Sequence, residues 1–142
     1  MTRVDIINGP NLNLLGSREH EVYGHQSLED IARACNVAFP DVDLHFFQSN
    51  IEGEIIDALQ KSTAKAIVIN PGGYTHTSVA IRDAIATMRI PVVECHISNI
   101  AGRESFRHES LISPVCTGVI MGFGTDGYLL SIHAALHVLN TK

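Results

Sequence analysis

Basic side chains are scarce in this chain. Its 142 residues carry 10 Lys and Arg against 15 Asp and Glu, a formal charge of −5 with histidine neutral. That balance leaves no basic face for general nucleic-acid binding, whose affinity comes from neutralised phosphates. It does not exclude a small anion, because a few converging arginines make a local positive site. Long apolar runs are also missing. No stretch reaches the roughly 18 residues that a membrane span needs, and only a few apolar residues precede Asn8, too few for a signal peptide. Cysteine is sparse: Cys35, Cys95 and Cys116 form no C-x-x-C and are odd in number. Buried reduced thiols are expected, and with them a cytoplasmic protein without membrane or nucleic-acid partners. Neither a P-loop G-x-x-x-x-G-K-[ST] nor a true G-x-G-x-x-G occurs, and Gly122 to Gly127 reads as a turn into a last helix. His133 and His137 lie one helical turn apart but lack the Glu of H-E-x-x-H, and His20 and His25 have no partner set, so no metal site is expected.

What the chain does have is apolar content, 45% of residues, and a regular alternation of strand and helix signals. Strands are expected at Val4–Ile7, Val42–Gln48, Ala66–Ile69, Pro91–Cys95 and Gly118–Met121. The third is apolar throughout, as in a central parallel strand, and Asp43 and His45 suggest an edge for the second. A helix should start at Ser27, which has Asp30 three places on, and run to about Phe39, burying Leu28, Ile31, Ala32, Cys35 and Val37 or Ala38. Asn50 is expected to cap a helix over 51–60 with Ile51, Ile55, Ile56 and Leu59 on one face. Thr77 or Ser78 should cap another to about Met88, with Val79, Ala80, Ala84 and Ile85 inward. Residues 98–113 read as a long polar connection, and a final helix runs from Tyr128 to Leu139. No linker or repeat divides residues 1–142, so one domain is expected. Alternating strands and helices give an α/β fold, and right-handed crossovers favour a doubly wound, flavodoxin-like five-stranded parallel sheet of order 2-1-3-4-5.

In that order the switch point falls between the first and third strands, and ligands bind beyond the carboxyl ends of the strands there. Two polar, glycine-containing segments flank it: Asn8 to Gly24, and Asn70 to Ser78. The first holds Arg18 and Tyr23. A tyrosine titrates near ~10, so service as a base needs a lowering of ~2–3 units, or ~3–4 kcal/mol of preference for the phenolate, and Arg18 is the candidate cation. Glu94 and His96 alternate along a strand and so share a side, an arrangement that suits a general acid. His76 follows two glycines at a loop-to-helix junction, and Ile97-Ser98-Asn99 offers backbone amides to a carboxylate. Arg103 and Arg107 share a face if their segment is helical. On these residues alone, a loop ring packed on the domain remains the simpler account of Tyr23. A structural pair explains Glu94 and His96 as well as a catalytic one does. Capping explains 75–78, and an exposed pair explains the two arginines.

The pattern as a whole resembles the type II 3-dehydroquinate dehydratase family over nearly the full chain. The resemblance rests on Asn8-Gly9-Pro10-Asn11-Leu12-Asn13-Leu14-Leu15-Gly16, Arg18-Glu19, Tyr23-Gly24 and Gln48-Ser49-Asn50 with Glu52-Gly53-Glu54. It continues through Asn70-Pro71-Gly72, Tyr74 to Ser78, Arg82-Asp83-Ala84, Glu94, His96 to Asn99, Arg103-Glu104 and Phe106-Arg107. It implies anti elimination of water from 3-dehydroquinate to 3-dehydroshikimate through an enol or enolate, with no metal or organic cofactor. It implies that Tyr23 takes the C2 proton, Arg18 stabilises its phenolate, and His96, oriented by Glu94, protonates the departing C1 hydroxyl. Asn11 would hold the water or enolate oxygen near Tyr23. Asn70, His76 and Arg107 would bind hydroxyls, and the amides of Ile97 and Ser98 the carboxylate. Asp83 would reach a neighbouring subunit's site in a dodecamer built of trimers. The same reaction in quinate breakdown, and a flavodoxin-like module that binds a small molecule without turnover, are the alternatives.

The loop from Arg18 to Gly24 is expected to act as a lid, with Gly16 and Gly24 as hinges. Three positions depart from the family's habit: His20 where Pro is common, Gly73 where Ala is common, and Ala101-Gly102 in place of His-Ala. A proline in the lid would narrow its unbound ensemble. His20→Pro is therefore expected to lower KM in steady-state assays, and an unchanged KM would contradict this role for residue 20.

Overall fold

A computed structural model of the chain describes residues 1–17 and 26–141. Five strands, β1 (Thr2–Asn8), β2 (Val42–Gln48), β3 (Ala66–Asn70), β4 (Val92–His96) and β5 (Gly118–Met121), form one parallel sheet. Its order is 2-1-3-4-5, the flavodoxin-like order anticipated above. Four α-helices lie among the described residues: α1 (Leu28–Ala38), α2 (Glu52–Lys61), α3 (Val79–Ala86) and α4 (Asp126–Asn140). β3 is buried at every position, so its two faces feed two separate cores. Val4, Ile6, Val68 and Cys95 pack with Ile31 and Cys35 of α1 and Tyr128 and Ile132 of α4. Ile7, Ile67, Ile69 and Val92 pack with Ile55 and Leu59 of α2 and Ile81 and Ile85 of α3. A buried aliphatic side chain contributes about 1.5–3 kcal/mol. Neither layer is therefore dispensable to a domain with about 5–15 kcal/mol of net stability.

The capping box at Ser27 is present: its hydroxyl accepts from the Asp30 amide at 3.2 Å, and the Asp30 carboxylate accepts from the Ser27 amide at 3.1 Å. Val37 or Ala38 is expected inward, but both are exposed. The spacing Ile31, Cys35 continues at Phe39, which takes the core position instead. Asn50 does not cap α2. Ile51 is the N-cap, the Ser49 hydroxyl accepts from the Ile51 amide at 2.9 Å, and Ile51 is left exposed because it precedes the helix. The Asn50 side chain instead accepts from the Asn11 amide at 2.9 Å and tethers the loop after β1. Ser78, not Thr77, caps α3 by accepting from the Ile81 amide. The buried stripe therefore starts at Ile81 and continues at Ala84 and Ile85, which leaves Val79 and Ala80 exposed, and the helix ends two residues short of Met88.

The connection from β4 to β5 contains no α-helix. It is a strap of three 3₁₀ turns, Ile100–Gly102, Ser105–Arg107 and Ser113–Val115, fixed to the molecule by fully buried Ile112. Arg103 is extended between two of these turns, so it and Arg107 share no helical face.

β1 and β3 are joined in register up to Asn8 and Asn70. The Gly9 amide donates to the Asn70 carbonyl at 2.8 Å. A Cβ at Gly9 would lie 2.3 Å from the Pro71 oxygen, so only glycine admits this approach. Gly9→Ala is expected to push the two strand ends apart and destabilise by about 1–3 kcal/mol, read as a lower denaturation midpoint; an unchanged midpoint would show that the contact is relieved at no cost.

Candidate active site

A cleft of about 110 Å³ opens at the carboxyl ends of β1, β3 and β4, at the switch point. The end of β1 contributes Pro10, Asn11 and Leu12, and β3 and the turn after it contribute Asn70, Gly72, Gly73 and His76. β4 contributes His96, Ile97 and Ser98, and the strap contributes Ile100, Arg103 and Arg107. Seven of the residues to which the resemblance gives roles therefore meet here: Asn11, Asn70, His76, His96, Ile97, Ser98 and Arg107.

Each is set by its element. Asn11 takes a left-handed conformation, φ 69°, one that Asn tolerates better than most residues. Asn70 donates from Nδ2 to the Tyr128 hydroxyl at 2.9 Å and accepts at Oδ1 from the Gly72 amide at 3.2 Å. Tyr128 in turn donates to Asn8 Oδ1 at 2.6 Å. His76 meets the Glu109 carbonyl through Nδ1 at 2.7 Å. A carbonyl only accepts, so Nδ1 carries the proton, and in the neutral ring Nε2 is left as the acceptor.

Glu94 lies one alternate position before His96 on the same face of β4, completely buried behind it. His96 Nε2 donates to Glu94 Oε2, which directs Nδ1 away from the carboxylate. Ser110 also donates to Oε2, at 2.8 Å, and Ser113 donates to Oε1. Burial pushes the Glu94 carboxyl up, but hydrogen bonds from His96 and the two serines, with the His96 charge, outweigh it and hold the group below the usual carboxylate range. At the rim, Glu104 stands 3.1 Å from Arg107 Nε and 3.6 Å from Arg103 Nε, two guanidiniums against one carboxylate. The Arg107 guanidinium also lies over the Phe106 ring, 5.0 Å from its centroid.

Tyr23 and Arg18 lie outside the described residues. Asp83 is not in the cleft. It projects from the exposed side of α3, paired with Arg82 at 2.9 Å. The roles of Ser110, Ser113 and Tyr128 went unnoticed in the sequence, because contacts 16, 19 and 58 residues apart leave no local signature. Arg103, read from sequence by its spacing from Arg107 and as part of the Arg103-Glu104 motif but given no role, lines the cleft as well. A larger groove, about 320 Å³, runs along β1 and β2 beside α2, but its buried carboxylate, Asp5, already accepts from Arg3 and Ser62. Among the described residues no His, Cys, Asp and Glu cluster could hold a metal ion.

A doubly wound sheet with a polar cleft at its switch point, a buried carboxylate–imidazole pair and an arginine rim defines a small α/β protein whose cleft suits a small oxygen-rich anion. Residues 2–136 match the family described as Dehydroquinase class II. A 3-dehydroquinate dehydratase of Janthinobacterium sp. is 55% identical over 139 residues, covering 94% of this chain and 96% of its own. One of Exiguobacterium sp. is 53% identical over 136 residues, 94% of each. Among solved structures, the type II dehydroquinase of Butyrivibrio crossotus superposes with a TM-score of 0.92 at 44% identity, covering 95% of this chain and 97% of that one. The chain belongs to the class II dehydroquinase family.

Folding depresses the Glu94 pKa, so its stabilisation is complete above the unfolded carboxyl value of ~4.3 and is lost as pH falls through the folded value. Glu94→Gln is expected to be less stable than the parent near neutral pH by about 1–3 kcal/mol. In denaturant titrations that gap should narrow as the solution is acidified below the unfolded value. A gap that stays constant on acidification would mean that the carboxylate charge contributes nothing.

Proposed function

We propose that this chain is a 3-dehydroquinate dehydratase, a hydro-lyase that removes water from 3-dehydroquinate to give 3-dehydroshikimate. The observation that carries the reading is the His96–Glu94 pair at the floor of a cleft whose rim is cationic. It is joined by curated relatives of that name at about half identity over nearly their full lengths.

A proton next to a ketone is weakly acidic, so elimination needs a strong base on one side and, on the other, an acid for the leaving hydroxyl. In this reading Tyr23, as a phenolate beside Arg18, takes the C2 proton, and the C2 electron pair passes into the ketone as an enolate. Asn11 holds the developing oxygen or a water against it. The C1–O bond then breaks as His96 delivers its Nδ1 proton, so hydroxide leaves as water and the enolate collapses to the conjugated enone. His96 ends neutral and Tyr23 ends as a phenol, and a net proton passes back to restore both. Glu94, ionised, steadies the imidazolium before transfer. His76 accepts from a substrate hydroxyl through Nε2, Asn70 and Arg107 bind further hydroxyls, and the Ile97 and Ser98 amides take the carboxylate.

The reading extends to a cytoplasmic enzyme of the shikimate route to aromatic amino acids, and to trimers gathered into a dodecamer in which Asp83 reaches a neighbour's cleft. Support for the assembly comes from Ile51 and Val79, large apolar side chains left 59% exposed at the starts of α2 and α3, Val79 on the same helix as Asp83. Addition of 3-dehydroquinate to the protein should raise the ultraviolet band of a conjugated enone, and Tyr23→Phe should slow that rise by about 10²–10⁴-fold. No rise with folded parent protein would favour a module that only binds; a rise that survives in Tyr23→Phe would place the base elsewhere.

A further inference from the structure

The three other crossovers of the sheet each carry an α-helix, whereas the one after β4 is the strap. The strap brings two hydroxyls to the buried carboxylate. Glu94 has no exposed surface, and among the described residues its hydrogen-bond donors are His96, Ser110 and Ser113, with no arginine or lysine. An unpaired buried carboxylate would take up a proton. The two serines supply what water cannot. They act on different oxygens, Ser113 on Oε1 and Ser110 on Oε2, so together they set the rotation of the carboxylate as well as its charge. The Ser110 hydroxyl is itself oriented: its oxygen accepts from the Ser113 amide at 3.2 Å, which turns its proton toward Glu94.

We propose that Ser110 and Ser113 are positioning residues of this site: they grip both oxygens of Glu94 and, through it, hold His96 with Nε2 bound and Nδ1 turned to the cleft. The inference rests on the reading of His96 as the proton donor. It deepens that reading by assigning the strap's serines, and not the carboxylate alone, to the control of the imidazole. Oε2 is shared by His96 and Ser110, so movement of the strap changes the partner of His96 directly.

The strap does not depend on these hydroxyls to stay docked. Ile112 is fully buried against the α2 and α3 core, the Leu111 amide donates to the Thr75 carbonyl at 2.9 Å, and His76 holds the Glu109 carbonyl. Among the described residues, the other titratable or charged groups near the pair are His76 from the turn after β3, Arg103 and Arg107 from the strap, and two thiols. Burial pushes both thiols, Cys95 and Cys116, up to about 12, so they remain uncharged across the working range.

The test compares Ser110→Ala, Ser113→Ala and the double variant with Ser113→Thr, which keeps the hydroxyl. Glu94 is read by carboxyl-carbon NMR in glutamate-labelled protein, His96 by its Nε2–H resonance, and turnover of 3-dehydroquinate by its pH profile. In the double variant the Glu94 carboxyl should titrate about two units higher, and the acid limb of kcat should move up with it. Near neutral pH kcat should fall about tenfold while KM stays within about twofold, and Ser113→Thr should behave as the parent. A Glu94 titration unchanged in the double variant overturns the proposal. So does a loss shared by KM and kcat that Ser113→Thr does not recover. If the parent protein does not turn over 3-dehydroquinate, the Glu94 titration and the His96 Nε2–H resonance still decide the matter: both shift if the serines position the pair, and both stay put if they do not.

Discussion

The seam between β1 and β3 is the switch point of this fold, where the chain leaves the two strands toward opposite faces of the sheet and the cleft opens between their ends. One phenol ties its two polar ends together. Tyr128, fully buried on α4, donates to Asn8 at the end of β1 and accepts from Asn70 at the end of β3. The bond to Asn8 needs the neutral hydroxyl, and burial pushes the Tyr128 pKa well above its ordinary value. Asn70 passes the constraint on, through Gly72, to the turn that carries His76, and through Gly9 to the loop that carries Asn11. The two walls of the cleft are thus referenced to a single side chain that never touches it.

The proposed chemistry asks the opposite of another tyrosine. Tyr128 has to stay a phenol, and among the described residues its hydroxyl meets the side-chain amides of Asn8 and Asn70. Tyr23 has to become a phenolate, and Arg18 is its near neighbour in sequence. The carboxylate of Glu94 follows a third course. It is as deeply buried as Tyr128, yet it keeps its charge because three donors converge on it. Burial alone does not decide ionisation in this site; the count of donors facing each oxygen does.

Much of the fold was legible because its signals are local. Strands of apolar residues end in polar loops, a Ser-x-x-Asp box opens α1, and right-handed crossovers then leave few topologies. The errors were local as well. Asn50 looks like a helix cap, but it is drawn to the Asn11 amide in the loop after the neighbouring strand β1, a contact that sequence spacing does not reveal. Val79 and Ala80 fit an apolar stripe that in fact begins at Ile81, because the cap is Ser78. The pairing of Glu94 with His96 followed from strand alternation, whereas Ser110 and Ser113 reach the same carboxylate from a strap without periodicity. For Tyr23 and Arg18 the resemblance to a family carried what the residues alone left open, and the described structure does not extend to them.

The constraint at the seam also bears on how long the polypeptide itself survives. Asn8-Gly9 is a pair whose backbone nitrogen readily attacks the preceding side-chain amide, closing a ring that ends as aspartate or isoaspartate. Here the attacking nitrogen is committed to the Asn70 carbonyl at 2.8 Å, and the target amide is held by Tyr128 in an extended strand with 1% of Asn8 exposed. The chain is thus shielded at its most perishable peptide for as long as it stays folded, and its chemical ageing is tied to the rate at which β1 and β3 come apart.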